Sequence, residues 1–346
     1  MKLLVVRFSA LGDVAMTLPV IYAAARTYPD LEISILTREN FAGLFSYLPE
    51  NVRFIGAALN GRHKGASGLH RLYYDKLEDE DFDYVADLHS VLRTWLLNAR
   101  FRLAGKRVAS IRKGRCAKRK LIRKGAAQVA ELPTTIDRYV EVFERLGFPL
   151  PSPLSFKSIF EKETPSLAGI LPPSLTKKAG DKWVGIAPFA RYEGKTYPIE
   201  LMYEVVQDLS GQPNVHLFLF GAGAERERLL AWSAENPDKI YIPQGRTDID
   251  KELALMSQLD LMISMDSANM HFASLVGVRT LSIWGATHPH AGFLGYGQQS
   301  EDCVQLDTHC RPCSVFGNKP CRYKTYACLY AITPSEITNR VVHILS

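Results

Sequence analysis

Three short segments and one lysine of the 346-residue chain hold side chains whose types and spacing suit chemistry on a phosphorylated sugar. Asp13 follows a short apolar run by a few residues, at the strand-to-helix position where an open α/β sheet directs residues toward its ligand. A carboxylate there is either a general base or the cap of the helix that begins at Val14. Residues 264–271, Ser-Met-Asp-Ser-Ala-Asn-Met-His, again follow a strand and open a helix. The backbone N–H groups at such a helix start, helped by the Ser267 hydroxyl, suit a diphosphate, and Asp266 suits sugar hydroxyls; either residue could equally be an ordinary cap. Gly221-Ala222-Gly223-Ala224-Glu225 gives a close-approach turn with an acid for ribose hydroxyls, but it is not a complete G-x-G-x-x-G, so dinucleotide binding does not follow. Lys195 is a phosphate cation or a plain surface lysine, and His271, with no partner at metal-ligand spacing, is read as a hydrogen-bonding group. Together these pieces describe a nucleotide-sugar site with a base opposite it.

Such residues need a frame. Apolar runs near 3–6, 33–36, 52–55 and 84–87 alternate with helical stretches, and a second series of strands near 183–187, 216–220, 261–264 and 280–283 repeats the pattern. The fold class that follows is α/β, with two Rossmann-like halves of mostly parallel sheet facing a central cleft. Residues 147–174 carry six prolines and interrupt the alternation, which places the boundary there. The expected division is 1–160, 161–332 and a final helix, 333–346, that packs back on the first half.

Composition agrees with a globular chain: 47% hydrophobic and 23% charged residues, net charge +6. No apolar run reaches the length of a membrane span and the N-terminus enters a strand directly, so a cytoplasmic protein is expected. Charge is uneven. Residues 100–124 hold twelve Lys or Arg and no acid, the signature of an anionic partner or of a solvated helix face.

Arg7-Phe8-Ser9-Ala10-Leu11-Gly12-Asp13-Val14, followed by Thr17-Leu18-Pro19, resembles the N-terminal signature of the bacterial lipopolysaccharide heptosyltransferases, glycosyltransferase family nine. Asp87 to Arg93, Gly221 to Glu225, Asp266 to His271, Gly277-Val278 and Trp284-Gly285-Ala286-Thr287 resemble further stretches of that family in the expected order. The resemblance implies a GT-B fold and inverting transfer of a heptose or related sugar from ADP-heptose to a lipopolysaccharide core or other glycan, with no cofactor required. It assigns Asp13 as the base, Lys195 to the donor phosphates, Glu225 to ribose, Asp266 to the sugar, and Ser267, Ala268 and His271 to the diphosphate. Three residues at two places depart from the pattern. Ala190 and Arg191 stand where a hydroxyl residue is usual, making Arg191 the substitute phosphate contact, and Ala268 replaces a glycine. The N-terminal half in this family takes the acceptor, so Arg62, Lys64, Arg93, Arg112 and Arg119, with His63, are candidates for an acidic glycolipid or the inner-membrane surface, and nucleic acid is not the expected partner.

Five of six cysteines fall late. Cys310-x-x-Cys313 with Cys321 and Cys328 could form a four-thiolate zinc site, although the second pair lacks the C-x-x-C spacing. The resemblance implies chemistry without a metal, so free thiols are expected. Two other classes compete: an epimerase sharing the donor site, and a non-catalytic protein that grips an anionic polymer. Turnover without an acceptor would identify the first; binding that falls steeply with salt, without nucleotide-sugar affinity, would identify the second.

Overall fold

The computed structural model describes residues 1–243 and 248–346. They divide into two compact units, Met1–Lys113 with Thr134–Ile159, and Gly114–Pro133 with Phe160–Ser346.

The first unit is a five-stranded parallel sheet in the order β3-β2-β1-β4-β5, from β1 (Lys2–Val6), β2 (Glu32–Arg38), β3 (Val52–Ala57), β4 (Tyr84–Asp87) and β5 (Arg107–Ser110). Leu3 to Val6 are wholly buried because helices cover both faces, which is why β1 reads as an unbroken apolar run. The helices are α1 (Leu11–Ala15), α2 (Thr17–Thr27), α3 (Gly65–Lys76), α4 (Leu92–Leu103) and, after an excursion into the second unit through α5 (Arg115–Lys124), α6 (Thr135–Leu146). A reciprocal capping box starts α6: Asp137 N–H donates to Thr134 Oγ1 at 3.1 Å and Thr134 N–H to Asp137 Oδ2 at 2.7 Å. Gly147, at φ +94°, ends it. Its apolar face, including Tyr139 and Phe143, is buried.

The chain direction of the strand order reverses at β1, which pairs with β2 on one side and β4 on the other. The loops leaving β1 and β4 therefore diverge at their carboxyl ends, the usual place for a site in an open α/β sheet.

The second unit has six parallel strands in the order β11-β10-β9-β6-β7-β8: β6 (Lys182–Ala187), β7 (Val215–Leu219), β8 (Ile240–Tyr241), β9 (Leu261–Met265), β10 (Thr280–Ile283) and β11 (Cys303–Val304). Here β6 and β9 flank the switch point. Helices α7 (Ile199–Ser210), α8 (Glu225–Glu235), α9 (Ile249–Met256), α10 (Ala268–Leu275), α11 (Ala327–Tyr330) and α12 (Pro334–Leu345) complete the unit. Val184, Ile186, Leu217, Leu219, Leu261, Ile263 and Leu281 form the centre of one core cluster.

Two expectations about the chain's division are corrected. The last helix, α12, belongs to the second unit: Ile337 and Val341 are fully buried in that core, and Thr338 Oγ1 lies 3.5 Å from Asp208 Oδ2 on α7. Residues 114–133 also belong there. Lys118 Nζ sits 4.0 Å from the Phe293 ring centroid, and Leu132 N–H donates to the His290 carbonyl at 3.0 Å. Only Leu121 of α5 is buried, so the helix has too little apolar surface to fix its own place and is held by these polar and cation–π contacts.

Candidate functional site

On the first unit, Asp13 occupies the first turn of α1. Its Oδ2 accepts the Ala10 N–H at 3.1 Å and pairs with the Arg7 guanidinium. Asp13 is therefore not the cap of a helix beginning at Val14: α1 begins at Leu11, Ala10 is its N-cap residue, and Asp13, inside the first turn, reaches back to the Ala10 N–H with one oxygen. Oδ1 has no protein partner among the described residues, and the side chain is 24% exposed. Arg7 is nearly buried; its Nη1 donates to the Leu88 carbonyl at 2.6 Å and its guanidinium lies 5.9 Å from the Tyr139 ring centroid. Tyr139, delivered by α6, donates its hydroxyl to the Asp13 carbonyl at 3.0 Å. The carboxylate is therefore aimed from β1, β4 and α6 at once.

The loop after β4 is shaped by Asp87, whose Oδ1 accepts the N–H groups of His89 and Ser90 at 3.0 and 2.8 Å, while Asn98 on α4 donates to its Oδ2 at 2.7 Å. This sets His89 Nε2 3.3 Å from Ser9 Oγ. Burial first, then the positive charges of Arg7 and Lys113, push the His89 pKa down to about 3. The folded value lies below the unfolded one, ordinarily about 6.5. The unfolded chain therefore binds more protons between these values, and the stability present at neutral pH is lost as pH falls from about 6.5 toward 3. His89→Gln is expected to flatten this acid limb, read as a smaller drop in urea midpoint between pH 7 and pH 5; an unchanged slope refutes the assignment.

On the second unit, Lys195 lies in the loop after β6 and its Nζ is 3.0 Å from Asp266 Oδ2 at the end of β9. Thr287, beyond β10, donates its hydroxyl to the same oxygen at 2.7 Å. Asp266 is almost fully buried, and its Oδ1 is left without a protein partner among the described residues. Ser267 is the N-cap of α10 but makes no capping bond; its Oγ lies 3.3 Å from Ser264 Oγ. The first-turn N–H groups that begin at Ala268 are thus available to a ligand. His271 is buried on the next turn. Glu225 opens α8 and its Oε2 accepts the Ala222 N–H at 3.3 Å. A Cβ on Gly221 would come within 2.7 Å of Leu229 Cδ1, so a larger residue in this turn would displace the end of that side chain. Arg191 is exposed over the Tyr192 ring, 5.4 Å from its centroid, and is not part of the Lys195–Asp266–Thr287 group.

The wall of this group is built by the cysteine-rich segment before α11. Arg311, buried, donates from Nη2 to the Thr287 carbonyl at 2.9 Å and Gln305 Oε1 at 3.0 Å, and also to the carbonyls of Gly285 and Leu306. Gly317, at φ +72°, presses on the Lys195 stem, where an added Cβ would meet Cγ and Cδ at 2.4 Å. Gly317→Ala is expected to cost about 1–2 kcal/mol from its left-handed backbone alone and to displace Lys195. Calorimetric unfolding checks the cost, and an unchanged midpoint would refute it.

Arg7, Tyr139, Thr287, Arg311 and Gly317 received no role from sequence. Arg7 and Thr287 carried a signal, as parts of the Arg7–Val14 and Trp284–Thr287 stretches, and the others act through contacts distant in the chain. The basic candidates differ in their surroundings. Arg62 lies 3.9 Å from Asp75, Arg112 bonds Glu141 at 2.8 Å, Lys64 precedes α3 without a capping side-chain bond, and Arg119 lies on α5 in the second unit. His63 is fully buried, with Nδ1 accepting the Ala58 N–H at 3.0 Å, which corrects its assignment as a surface cation. Arg93 alone approaches the Asp13 group, 6.0 Å from the Phe8 ring centroid.

Cys310, Cys313, Cys321 and Cys328 are free thiols, and no group of three or more potential ligands has metal-holding geometry among the described residues. Burial pushes the Cys328 thiol up to about 11.

The profile of glycosyltransferase family 9 (heptosyltransferase) matches residues 71–326. Lipopolysaccharide heptosyltransferase 1 of Pseudomonas aeruginosa is 26% identical over 334 residues, covering 94% of this chain and 88% of that one. Lipopolysaccharide core heptosyltransferase OpsX of Haemophilus influenzae is 23% identical over 300 residues, covering 83% and 80%. Among solved structures, E. coli heptosyltransferase WaaC with ADP-2-deoxy-2-fluoro heptose superposes with a TM-score of 0.68 at 16% identity over 99% of both chains. The glycosyl transferase family 9 structure from Veillonella parvula gives 0.73 at 19% over 99% and 97%. At these identities the likeness establishes the fold, which is GT-B.

Proposed function

The chain belongs to glycosyltransferase family 9, and from that premise we propose that it moves a heptose from ADP-heptose to a hydroxyl of a lipopolysaccharide core, with inversion and with Asp13 as general base. The observation that carries the reading is the shared geometry of two carboxylates: Asp13 and Asp266 each have one oxygen held by a cation and a neutral donor, and the other oxygen unengaged.

In this scheme Asp13 Oδ1 takes the proton of the acceptor hydroxyl as its oxygen bonds to the anomeric carbon. The bond from that carbon to the diphosphate oxygen breaks, and the electron pair leaves with ADP. Lys195 and the N–H groups at the start of α10 offset the charge that develops there. Asp266 Oδ1 accepts from the sugar hydroxyls and Glu225 from the ribose. Arg191 is assigned to the phosphates only as an outer cation, since it stands clear of Lys195.

The ADP-heptose donor is the compound class named for the WaaC structure, and the acceptor is the one named for the lipopolysaccharide heptosyltransferases. The proposed place of action is the cytoplasmic face of the inner membrane. No helix among the described residues is long and apolar enough to cross a membrane.

The test is ADP release from ADP-heptose on a truncated lipopolysaccharide acceptor. Acceptor-dependent release supports the proposal. Selective binding of a GDP- or UDP-sugar with no turnover on ADP-heptose overturns the donor, and acceptor-independent turnover overturns the transfer.

A further inference from the structure

Helix α4 is amphipathic in the reverse of the usual sense. Its inward face, Thr94, Leu97, Asn98 and Phe101, is buried against the sheet, yet its outward face is also apolar. Leu92, Trp95, Leu96 and Leu103 are 68%, 51%, 50% and 91% exposed, and Ala99 lies open between them. These five positions follow the i, i+3, i+4, i+7, i+11 spacing of a single helical stripe. Arg93 and Arg100, one heptad apart, border the stripe on one side and Arg102 borders it on the other. Arg100 is fixed there by the rings of Tyr73 and Tyr74 on α3, whose centroids lie 3.9 and 4.4 Å from its Cζ.

We infer that this face of α4 is the surface by which the protein rests on an anionic lipid bilayer. An interfacial helix needs leucine and tryptophan to enter the boundary between headgroups and acyl chains, with arginines beside them to meet lipid phosphates. The sequence supplies both, with no Asp or Glu from residue 88 to residue 130. Lys106, although adjacent, is paired with Asp81 at 2.6 Å and is not counted. The charge also argues against a second copy of this chain as the occupant, because a two-fold stripe-to-stripe contact would bring the bordering arginines of both copies together. The docking stands apart from the choice of donor sugar, but it suits a lipid-borne acceptor. The N-terminus of α4 adjoins the Asp13 loop, with Arg93 beside Phe8.

The experiment uses the full chain with phosphatidylglycerol or phosphatidylcholine vesicles. Expected are co-sedimentation with phosphatidylglycerol that weakens as salt rises and is weaker with phosphatidylcholine, and a blue shift of tryptophan emission. Trp183, Trp232 and Trp284 are buried, so the shift should vanish in Trp95→Phe while sedimentation persists. The triple variant Leu92→Gln/Leu96→Gln/Leu103→Gln should retain its unfolding midpoint and lose vesicle affinity by roughly tenfold or more. Wild type that stays in the supernatant, or a triple variant that binds like wild type, overturns the inference. So does a concentration-dependent dimer that the triple variant abolishes. Turnover on a deacylated, water-soluble acceptor separates the two proposals: it should persist in the triple variant, and its absence in wild type would count against the transfer reaction and leave the docking intact.

Discussion

Asp13→Asn is expected to lower kcat by about 10²- to 10⁴-fold while leaving ADP affinity within twofold, because a positioned general base contributes about that much to transfer. The substitution is close to isosteric. An amide oxygen can still accept the Ala10 N–H, so that bond at the start of α1 is preserved. It also removes the charge paired with the buried Arg7 guanidinium, so the unfolding midpoint of the variant is measured beside its rate to separate that loss from loss of the proton acceptor. Single-turnover rates with ADP-heptose, set beside ADP titrations of the same preparation, separate the step from binding. A rate within threefold of wild type would assign Asp13 to the helix cap alone.

The second large effect is expected at Lys195. Lys195→Met keeps the length of the stem that Gly317 covers but removes the ammonium beside Asp266 Oδ2. Two losses should appear together. Transition-state charge on the departing diphosphate is no longer offset, lowering kcat/KM by about 10²- to 10³-fold. Asp266 is also left buried with its charge supported only by Thr287, and breaking such a pair costs on the order of 3–5 kcal/mol of stability. Lys195→Met combined with Asp266→Asn should recover much of the stability and none of the activity. If the double variant is no more stable than the single one, the ion pair is not what holds this loop.

The parts of this architecture legible in the sequence were those governed by local pattern. Both sheets reveal themselves as apolar runs because each strand is covered on two faces, and Asp13 and Asp266 stand where a strand ends and a helix begins, a position visible from neighbours alone. Lys195 and Asp266 were read as members of one site after different strands, and the fold brings them within 3.0 Å. What could not be read depends on long-range contacts. Arg7 and Tyr139 are far apart in the chain and meet only because α6 packs against β4, β5 and α2. Arg311 lies among cysteines that suggest metal chemistry, yet its work is to hold the carbonyls of Gly285 and Thr287. His63 sits between two cations, which suggests a surface, and is buried by its bond from Ala58. The grouping of α5 with the second unit leaves no mark in the sequence because a helix with one buried leucine has almost no apolar pattern from which a partner could be inferred.

That excursion also bears on how the chain is made. Residues 114–133 emerge from the ribosome between two parts of the first unit, but Phe293, His290 and Arg311, against which they settle, are synthesised on the order of ten seconds later at ordinary elongation rates. In the interval the basic helix is an unanchored loop on a nascent domain, open to proteases and to any polyanion nearby. A fragment ending at residue 160 would remain in that condition permanently, so the two units cannot be separated for study by a single cut.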